Sequence, residues 1–308
     1  MKKIEIALKI EHESQIDNID ITKTGYQYPN DLSDYFNSIY FSAVSRFFEY
    51  SVERIYFGAE FCELRIPDYR TVERILQKCE KSNLKFTFLT PPVTEYGLVK
   101  IKNLMPLLQQ YHCEISVNDY GVLYLFYSSG YQGKLISGRL LDKMYHDGRM
   151  NTDMYQQYSN ENGQNYLKSP AVAAKYYQSF LSNYAVCRYD IDIPIYGIDL
   201  SSGQEKISFS AFLPYGYVTT GRVCMMRNYG QENYTGFDLT THQCAKQCRT
   251  YDQLMIQPVS GIQKNENQMR NRSMYMMRKG NTIFYGTALS PKDEMQFDRI
   301  IIQQTLML

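Results

Sequence analysis

Tryptophan is missing from this chain, although tyrosine occurs 29 times in its 308 residues. That imbalance is a bias of composition and points to no function. An excess of charge of either sign is missing too, since 33 Lys and Arg stand against 32 Asp and Glu. A near-neutral chain has no overall electrostatic footprint for nucleic acid or an anionic membrane, though a local basic pocket remains compatible with it. No apolar run approaches the roughly 18 residues a transmembrane helix needs. Behind Met1-Lys2-Lys3 there is no apolar core, because Glu5, Lys9, Glu11 and Glu13 interrupt it. Neither a signal peptide nor membrane insertion is therefore expected, and the expected location is the cytoplasm. Arrangements of the Ser-His-Asp or Cys-His kind and an H-E-x-x-H helix are also absent, which argues against a peptidase-like hydrolase.

What is present suits a large folded unit. Hydrophobic residues make up 44% of the sequence, enough for a full core. The first half alternates strand-like and helix-like stretches. Strands are predicted at Lys3 to Ile10, Glu53 to Phe57, Lys85 to Leu89, Cys113 to Val117 and Lys134 to Ile136. Helices are predicted at Asp31 to Tyr50, Pro67 to Ser82, Thr94 to Tyr111 with a break or kink at Pro106, and Gly121 to Tyr127. A strand–helix–strand repeat near thirty residues implies parallel strands joined by right-handed crossovers, in a closed barrel or a doubly wound sheet. Residues 142–170 form an irregular excursion rich in Tyr, Asn, Gln, Asp and Gly. A helix follows at Ala171 to Asn183, then strands at Ala185 to Tyr189 and Ile207 to Leu213. From Ser273 the pattern becomes β-rich, with Met274 to Arg278, Thr282 to Tyr285 and Arg299 to Ile302. The expected organisation is α/β: a barrel domain over 1–270 with a β-rich C-terminal segment over 271–308 packed on it.

In parallel α/β folds, function collects beyond the C-terminal ends of the strands. Cys62 and Arg65, Asn118 and Asp119, Gly138 and Arg139, and Arg188, Asp190 and Asp192 all fall at or just past predicted strand ends. Asp119 has an alternative as the N-cap of the next helix, and Asp190 and Asp192 as exposed turn carboxylates. Seven cysteines, an odd number, do not suggest a disulfide framework in a reducing compartment. Cys244 and Cys248 are separated by three residues, a spacing that lets two thiolates address one centre. Cys224 lies upstream, and Cys62 can supply a fourth thiol from a strand end. Cys79, Cys113 and Cys187 are expected as small core hydrophobes, and His242 as a loop residue. Zinc and an iron–sulfur cluster are equally compatible with four thiolates.

Several segments together resemble a known family. Tyr56-Phe57-Gly58-Ala59-Glu60-Phe61-Cys62-Glu63-Leu64-Arg65 is similar to the "YLGE-x-x-C-x-x-R" segment of the collagenase-like peptidase family U-32, and most of all to its UbiU/UbiV-like iron–sulfur branch. Val117-Asn118-Asp119-Tyr120-Gly121-Val122-Leu123 resembles "NDWG-V-L", with Tyr120 in place of Trp. Ser137 to Leu141 is similar to "GRLL", Arg188 to Asp192 to "R-x-E-x-D", and Leu213 to Cys224 to "P-Y-x-Y-V-T-T-x-R-x-C". Gly280 to Tyr285 and Phe297 to Ile301 fit the closing strands. The matches keep their order from about residue 50 to 302. The resemblance implies a TIM-like (β/α) barrel and a 4Fe–4S cluster on Cys62, Cys224, Cys244 and Cys248. It also implies oxygen-independent hydroxylation of a small-molecule or cofactor precursor, in a heteromer with a second family member. Arg65, Arg139, Arg188 and Arg222 are the candidate substrate-binding residues, and Asn118, Asp119 and Tyr217 the candidate catalytic ones. A non-catalytic scaffold with zinc on the four cysteines and an RNA base hydroxylation factor remain as alternatives, so RNA stays open as a partner. The 19-residue spacer between Cys224 and Cys244 and the 142–170 excursion depart from the family pattern.

Overall fold

Eight parallel strands close into a barrel in the computed structural model, which describes residues 3–24, 31–146, 160–200, 207–227, 244–258 and 273–306. The strands are β1 (Glu5–Lys9), β2 (Val52–Gly58), β3 (Lys85–Thr90), β4 (Glu114–Val117), β5 (Leu135–Ser137), β6 (Val186–Ile191), β7 (Ser208–Leu213) and β12 (Arg299–Gln303). Around the barrel they run β1-β12-β7-β6-β5-β4-β3-β2, so the last strand closes the ring against the first. This is the TIM-like (β/α) barrel.

Helices cover its outside. Those beside the first five strands are α1 (Ser14–Asp17), α2 (Asp31–Val44), α3 (Tyr69–Lys81), α4 (Glu95–Gln110) and α5 (Tyr120–Ser128). Three more follow: α6 (Glu161–Lys168), α7 (Lys175–Ser182) and α8 (Pro291–Glu294). Helix α3 shows why its sequence is helical: the Asp68 side chain accepts from the Thr71 N–H at 2.9 Å as N-cap. Val72, Ile75, Leu76 and Cys79 then return at helical spacing as its buried face. Helix α4 continues past Pro106, so of the break or kink expected there the chain makes no break. The predicted helix at 171–183 is instead a 3₁₀ turn at Ala171–Ala173 followed by α7. Within the excursion, α6 is regular, while 147–159 lies outside the described residues.

The β-rich segment is a four-stranded antiparallel sheet of β8 (Tyr215–Thr220), β9 (Gln253–Pro258), β10 (Ser273–Lys279) and β11 (Thr282–Gly286), in the order β8-β11-β10-β9. Its bounds differ from the expected division at 270/271. Strands β8 and β9 precede that point, and Arg299–Gln303 belongs to the barrel rather than to this sheet. The sheet is an insertion between the seventh and eighth barrel strands. It leaves from the C-terminal end of β7, where only Pro214 separates Leu213 from Tyr215, and is thereby carried over the barrel mouth.

Strand side chains alternate between two faces. The outward set (Ile6, Leu8, Ile55, Phe88, Ile115, Val117, Ile300 and Ile302 among others) packs under the helices as the main apolar core. The lumen is layered. Its middle is apolar, with Ala7, Tyr56, Leu89, Phe212 and Ile301 in contact. At the N-terminal end Arg299 and Arg54 pair with Glu5 and Glu114. Burial would raise the Glu5 carboxyl, but Arg299 and Arg54 outweigh it and hold the group at about 2. Asp190, accepting from Ser116 Oγ at 2.8 Å, is pushed up to about 6 by burial. Neither Asp190 nor Asp192 is an exposed turn carboxylate: both are buried in the lumen.

Candidate functional site at the barrel mouth

A cavity of about 630 Å³ opens between the C-terminal ends of the strands and the inserted sheet. Cys62, Cys224, Cys244 and Cys248 all line it. Topology explains the meeting. Cys62 sits in extended backbone just before a 3₁₀ turn, Glu63–Arg65, that follows β2. The other three belong to the insertion, Cys224 after β8 and Cys244 and Cys248 before β9. The β10–β11 hairpin fastens the two parts together. Asn281 Nδ2 donates to the Phe61 carbonyl at 2.8 Å and to the Gly221 carbonyl at 2.6 Å, tying the Cys62 loop to the chain leading to Cys224.

Each sulfur meets an N–H group. Backbone N–H groups of Leu64 and of Met226 and Arg227 address Cys62 and Cys224. Lys246 N–H donates to Cys244 Sγ at 3.3 Å, and Arg65 Nη1 lies 3.8 Å from Cys248 Sγ. Lys246 holds left-handed backbone at φ 59°, which lets the short Cys244–Cys248 segment double back. Burial pushes the Cys62 thiol up to about 11, and the thiols of Cys224, Cys248 and Cys244 add to the rise while the Leu64 N–H opposes it. Cys224 is likewise raised by burial, with Cys248 and Cys244 adding. Loading a metal here must expel thiol protons. Four soft thiol donors in the lining of one cavity, each with an N–H on its sulfur, fit an iron–sulfur cluster or zinc chemically. Among the described residues no group of three or more His, Cys, Asp or Glu side chains is gathered so as to hold a metal ion as the chain stands. The four thiols line the cavity without being gathered at one point.

The candidate binding arginines divide. Arg65 and Arg222 line the cavity. Arg65 is shared between Cys248 and Glu11, the latter at 3.5 Å. Arg222 donates to the Val93 carbonyl at 2.9 Å. Arg139 is not available to a substrate. It is 1% exposed, and its five donors are all used: two on Glu60 (2.6 and 2.9 Å), one each on Asp192 (2.7 Å), the Tyr215 carbonyl (2.9 Å) and Gln303 (3.2 Å). Arg188 points the other way, pairing with Asp298 at the N-terminal end of β12.

Asn118, Asp119 and Tyr217 line the cavity, each already engaged. Asp119 is the N-cap of α5, accepting from Gly121 N–H at 2.7 Å and Val122 N–H at 3.3 Å, and it also accepts from Val93 N–H at 3.2 Å. Asn118 joins adjacent strand ends, donating to the Thr90 carbonyl at 3.0 Å and accepting from Leu140 N–H at 2.9 Å. Tyr217 donates to the Arg139 carbonyl at 3.3 Å, and burial raises its phenol. Gly138 is required by Asn118: a Cβ there would lie 2.3 Å from Asn118 Oδ1. Gly138→Ala is expected to cost about 2 kcal/mol, since Asn118 must give up a buried hydrogen bond. In thermal unfolding, Asn118→Ala should recover part of that loss in the double variant, which a merely local strain at residue 138 would not allow.

Of the remaining cysteines, Cys79 and Cys113 are buried in the apolar core, while Cys187 is exposed rather than a core residue. His242 lies outside the described residues. Three important groups lack any signal in periodicity or spacing. Lys9 and Glu60 complete the buried cluster around Arg139 at 2.5 Å from one another. His146, inside the excursion, lines the cavity. The signal that could have found Lys9 is a charged residue within an otherwise apolar strand.

Asp142 follows the Arg139 turn and is buried, with Oδ1 accepting from Val172 N–H at 3.1 Å and Oδ2 lacking a partner among the described residues. Burial pushes its carboxyl up to about 7, Asp192 adding to the rise and the Val172 and Ala171 N–H groups opposing it. The folded state therefore binds this proton more tightly than the unfolded chain, where Asp titrates near ~3.9. Stability from this group is greatest below pH ~4 and falls as pH rises toward 7. Asp142→Asn should flatten that decline in urea unfolding between pH 4.5 and 7, by roughly 1.4 kcal/mol for each unit of displacement at most. An unchanged slope would contradict the assignment.

No protein-family model matches the sequence, and no curated protein does. Among solved structures the chain is similar to the U32 peptidase Mk0906, with a TM-score of 0.44 and 11% identity, over 99% of this chain and 94% of that one. Overlap at this level speaks to neither family nor activity. Among the described residues no helix is long and apolar enough to cross a membrane.

Proposed function

We propose that this chain is an iron–sulfur protein, with Cys62, Cys224, Cys244 and Cys248 as the ligands of a 4Fe–4S cluster at the barrel mouth. In this reading it serves oxygen-independent hydroxylation of a small-molecule or cofactor precursor, together with a second subunit. One observation supports it above the rest: a thiol from the early chain, Cys62, and three from its last third line a single cavity. A cluster of this kind supplies one-electron transfer at a potential set by burial and by hydrogen bonds to sulfur.

The protein's own part is to bind and tune. Each of the four sulfurs has an N–H group on it, and hydrogen bonds of this kind tune a cluster held there. Arg222 and Lys143, each hydrogen-bonded to one backbone carbonyl, keep further donors for an anionic group in the cavity. The apolar walls, among them Phe61, Leu140 and Leu141, exclude water around whatever is bound.

Protein purified without oxygen should be brown, absorb broadly in the visible blue, and carry about four iron and four sulfide per chain. Zinc in place of iron would support the four-thiolate zinc scaffold instead. A chain holding neither metal sinks both readings. Peptidase chemistry has less support, because no cysteine–histidine hydrogen bond exists among the described residues to activate a thiol.

A further inference from the structure

One outer face of the barrel presents a run of aromatic rings to solvent. Helix α5 shows Tyr120, Tyr124 and Tyr127 there, spaced by four and three residues and 47, 62 and 50% exposed. Helix α7 shows Tyr176 and Phe180, four residues apart and 92 and 40% exposed. Ring contacts join the two rows into one surface. Tyr120 meets Phe180 edge to face with centroids 5.9 Å apart, and Tyr127 meets Tyr184 at 5.2 Å. Phe180 in turn stands 5.3 Å from Tyr184. Hydroxyls fix the arrangement. Tyr177 donates its one hydroxyl proton to the Leu141 carbonyl at 2.8 Å, so Tyr120 donates to Tyr177 across the 2.8 Å between their oxygens.

Area and charge together indicate what covers this face. At about 200 Å² for each aromatic side chain, the five exposures leave roughly 600 Å² of ring surface open. That stands at the top of the ~300–600 Å² range for the largest patch on a typical monomer. It approaches the ~800 Å² that each partner gives a standard stable interface. Helix α5 carries no charged residue, and Lys175, at the start of α7, is the only one on that helix. An uncharged face meets a copy of itself without the like-charge repulsion that a basic or acidic face would impose. Tyrosines suit such a meeting, because a phenol hydroxyl both donates and accepts and so can answer its own counterpart. A nucleic acid is a poorer occupant: its affinity rests on phosphate contacts, and the two helices offer one cation.

We propose that α5 and α7 form the contact by which two copies of this chain pair about a two-fold axis, like face against like face. The pairing is independent of the iron–sulfur reading, whose second subunit is an unlike chain. Tyr120 also lines the cavity, so the contact reaches the cavity rim.

Sedimentation of the full-length protein, purified without a partner, tests it. The wild type should run at twice the mass of one chain. Tyr124→Lys and Tyr176→Lys change side chains that solvent reaches, so each variant should fold. Each substitution enters a symmetric contact twice, and each should weaken pairing by at least about thirtyfold. Tyr69→Lys, on α3 and outside the face, should pair as the wild type does. Hydrogen exchange of the wild type should show α5 and α7 amides gaining protection as concentration rises, a readout that needs no variant. A wild type still monomeric at about 100 μM, where even weak interfaces of this size are formed, overturns the proposal. So does a dimer that both lysine variants leave intact, or one that protects other elements and not α5 and α7. A monomer whose α5 and α7 are protected by single-stranded RNA instead gives the face to nucleic acid and overturns it too.

Discussion

Cys62→Ala is expected to lose most of its iron and sulfide and the visible absorption that goes with them, while Cys79→Ala keeps both. Cys62 is the only one of the four thiols that the barrel itself supplies, from the turn after β2. Cys224, Cys244 and Cys248 come from the inserted sheet. Removing Cys62 leaves the cavity with the three thiols of the insertion and none from the barrel. Loss of a single outer hydrogen bond to a ligand already lowers metal affinity by roughly ten- to a hundredfold, so loss of the ligand should cost at least that. Cys79 is buried under α3, away from the mouth, and its replacement makes only a small cavity in the core. Iron and sulfide analysis beside a circular dichroism spectrum distinguishes ligand loss from misfolding. Equal metal content in wild type and Cys62→Ala would remove that residue from the site.

The second large effect belongs to Arg139. Arg139→Leu is expected to destabilise the fold by about 3–5 kcal/mol, because it leaves carboxylates without a cation in the lumen. Glu60 and Asp192 are 0% and 2% exposed, so water cannot replace the guanidinium. Burial would raise the Glu60 carboxyl, but Arg139 and then Lys9 hold it below its usual range. With Arg139 gone, only Lys9 remains on Glu60, and Asp192 keeps just the Tyr217 N–H at 3.0 Å. The melting temperature should fall by on the order of 5–15 °C. Arg139→Lys should lose less, since it restores charge but not the five-donor fork. A substrate-clamp role predicts the reverse pattern, with binding lost and the melting temperature unchanged.

Arg139 also shows where sequence reasoning runs out. Its place after β5, at a strand's C-terminal end, is read directly from the sequence. Whether such an arginine faces a ligand or a carboxylate depends on which residues the barrel brings opposite. Glu60, Asp192 and Gln303 come from three other segments, separated from it by 79, 53 and 164 positions. Asp119 is a milder case. Its capping role is a local matter of two backbone N–H groups within three residues, so spacing already offers it as an alternative. Arg188 departs from expectation because β6 runs on to Ile191, past the expected end at Tyr189; this leaves Arg188 on the face of Asp190 but nearer the N-terminal end of the barrel, where Asp298 meets it.

Strands, helices and their parallel α/β repeat were legible in the sequence because they rest on local causes: apolar periodicity, caps such as Asp68, and a repeat near thirty residues; periodicity left a closed barrel and a doubly wound sheet both open, and the family resemblance favoured the barrel. The two thiols of Cys244 and Cys248 were legible as a pair for the same reason, being neighbours in the chain. Only the tertiary structure decided that Cys62 shares their cavity and that the lumen holds buried ion pairs at both ends. Each of these is a meeting of segments distant in sequence. Its geometry follows from closing the barrel and folding the inserted sheet over the mouth, and no local pattern encodes it.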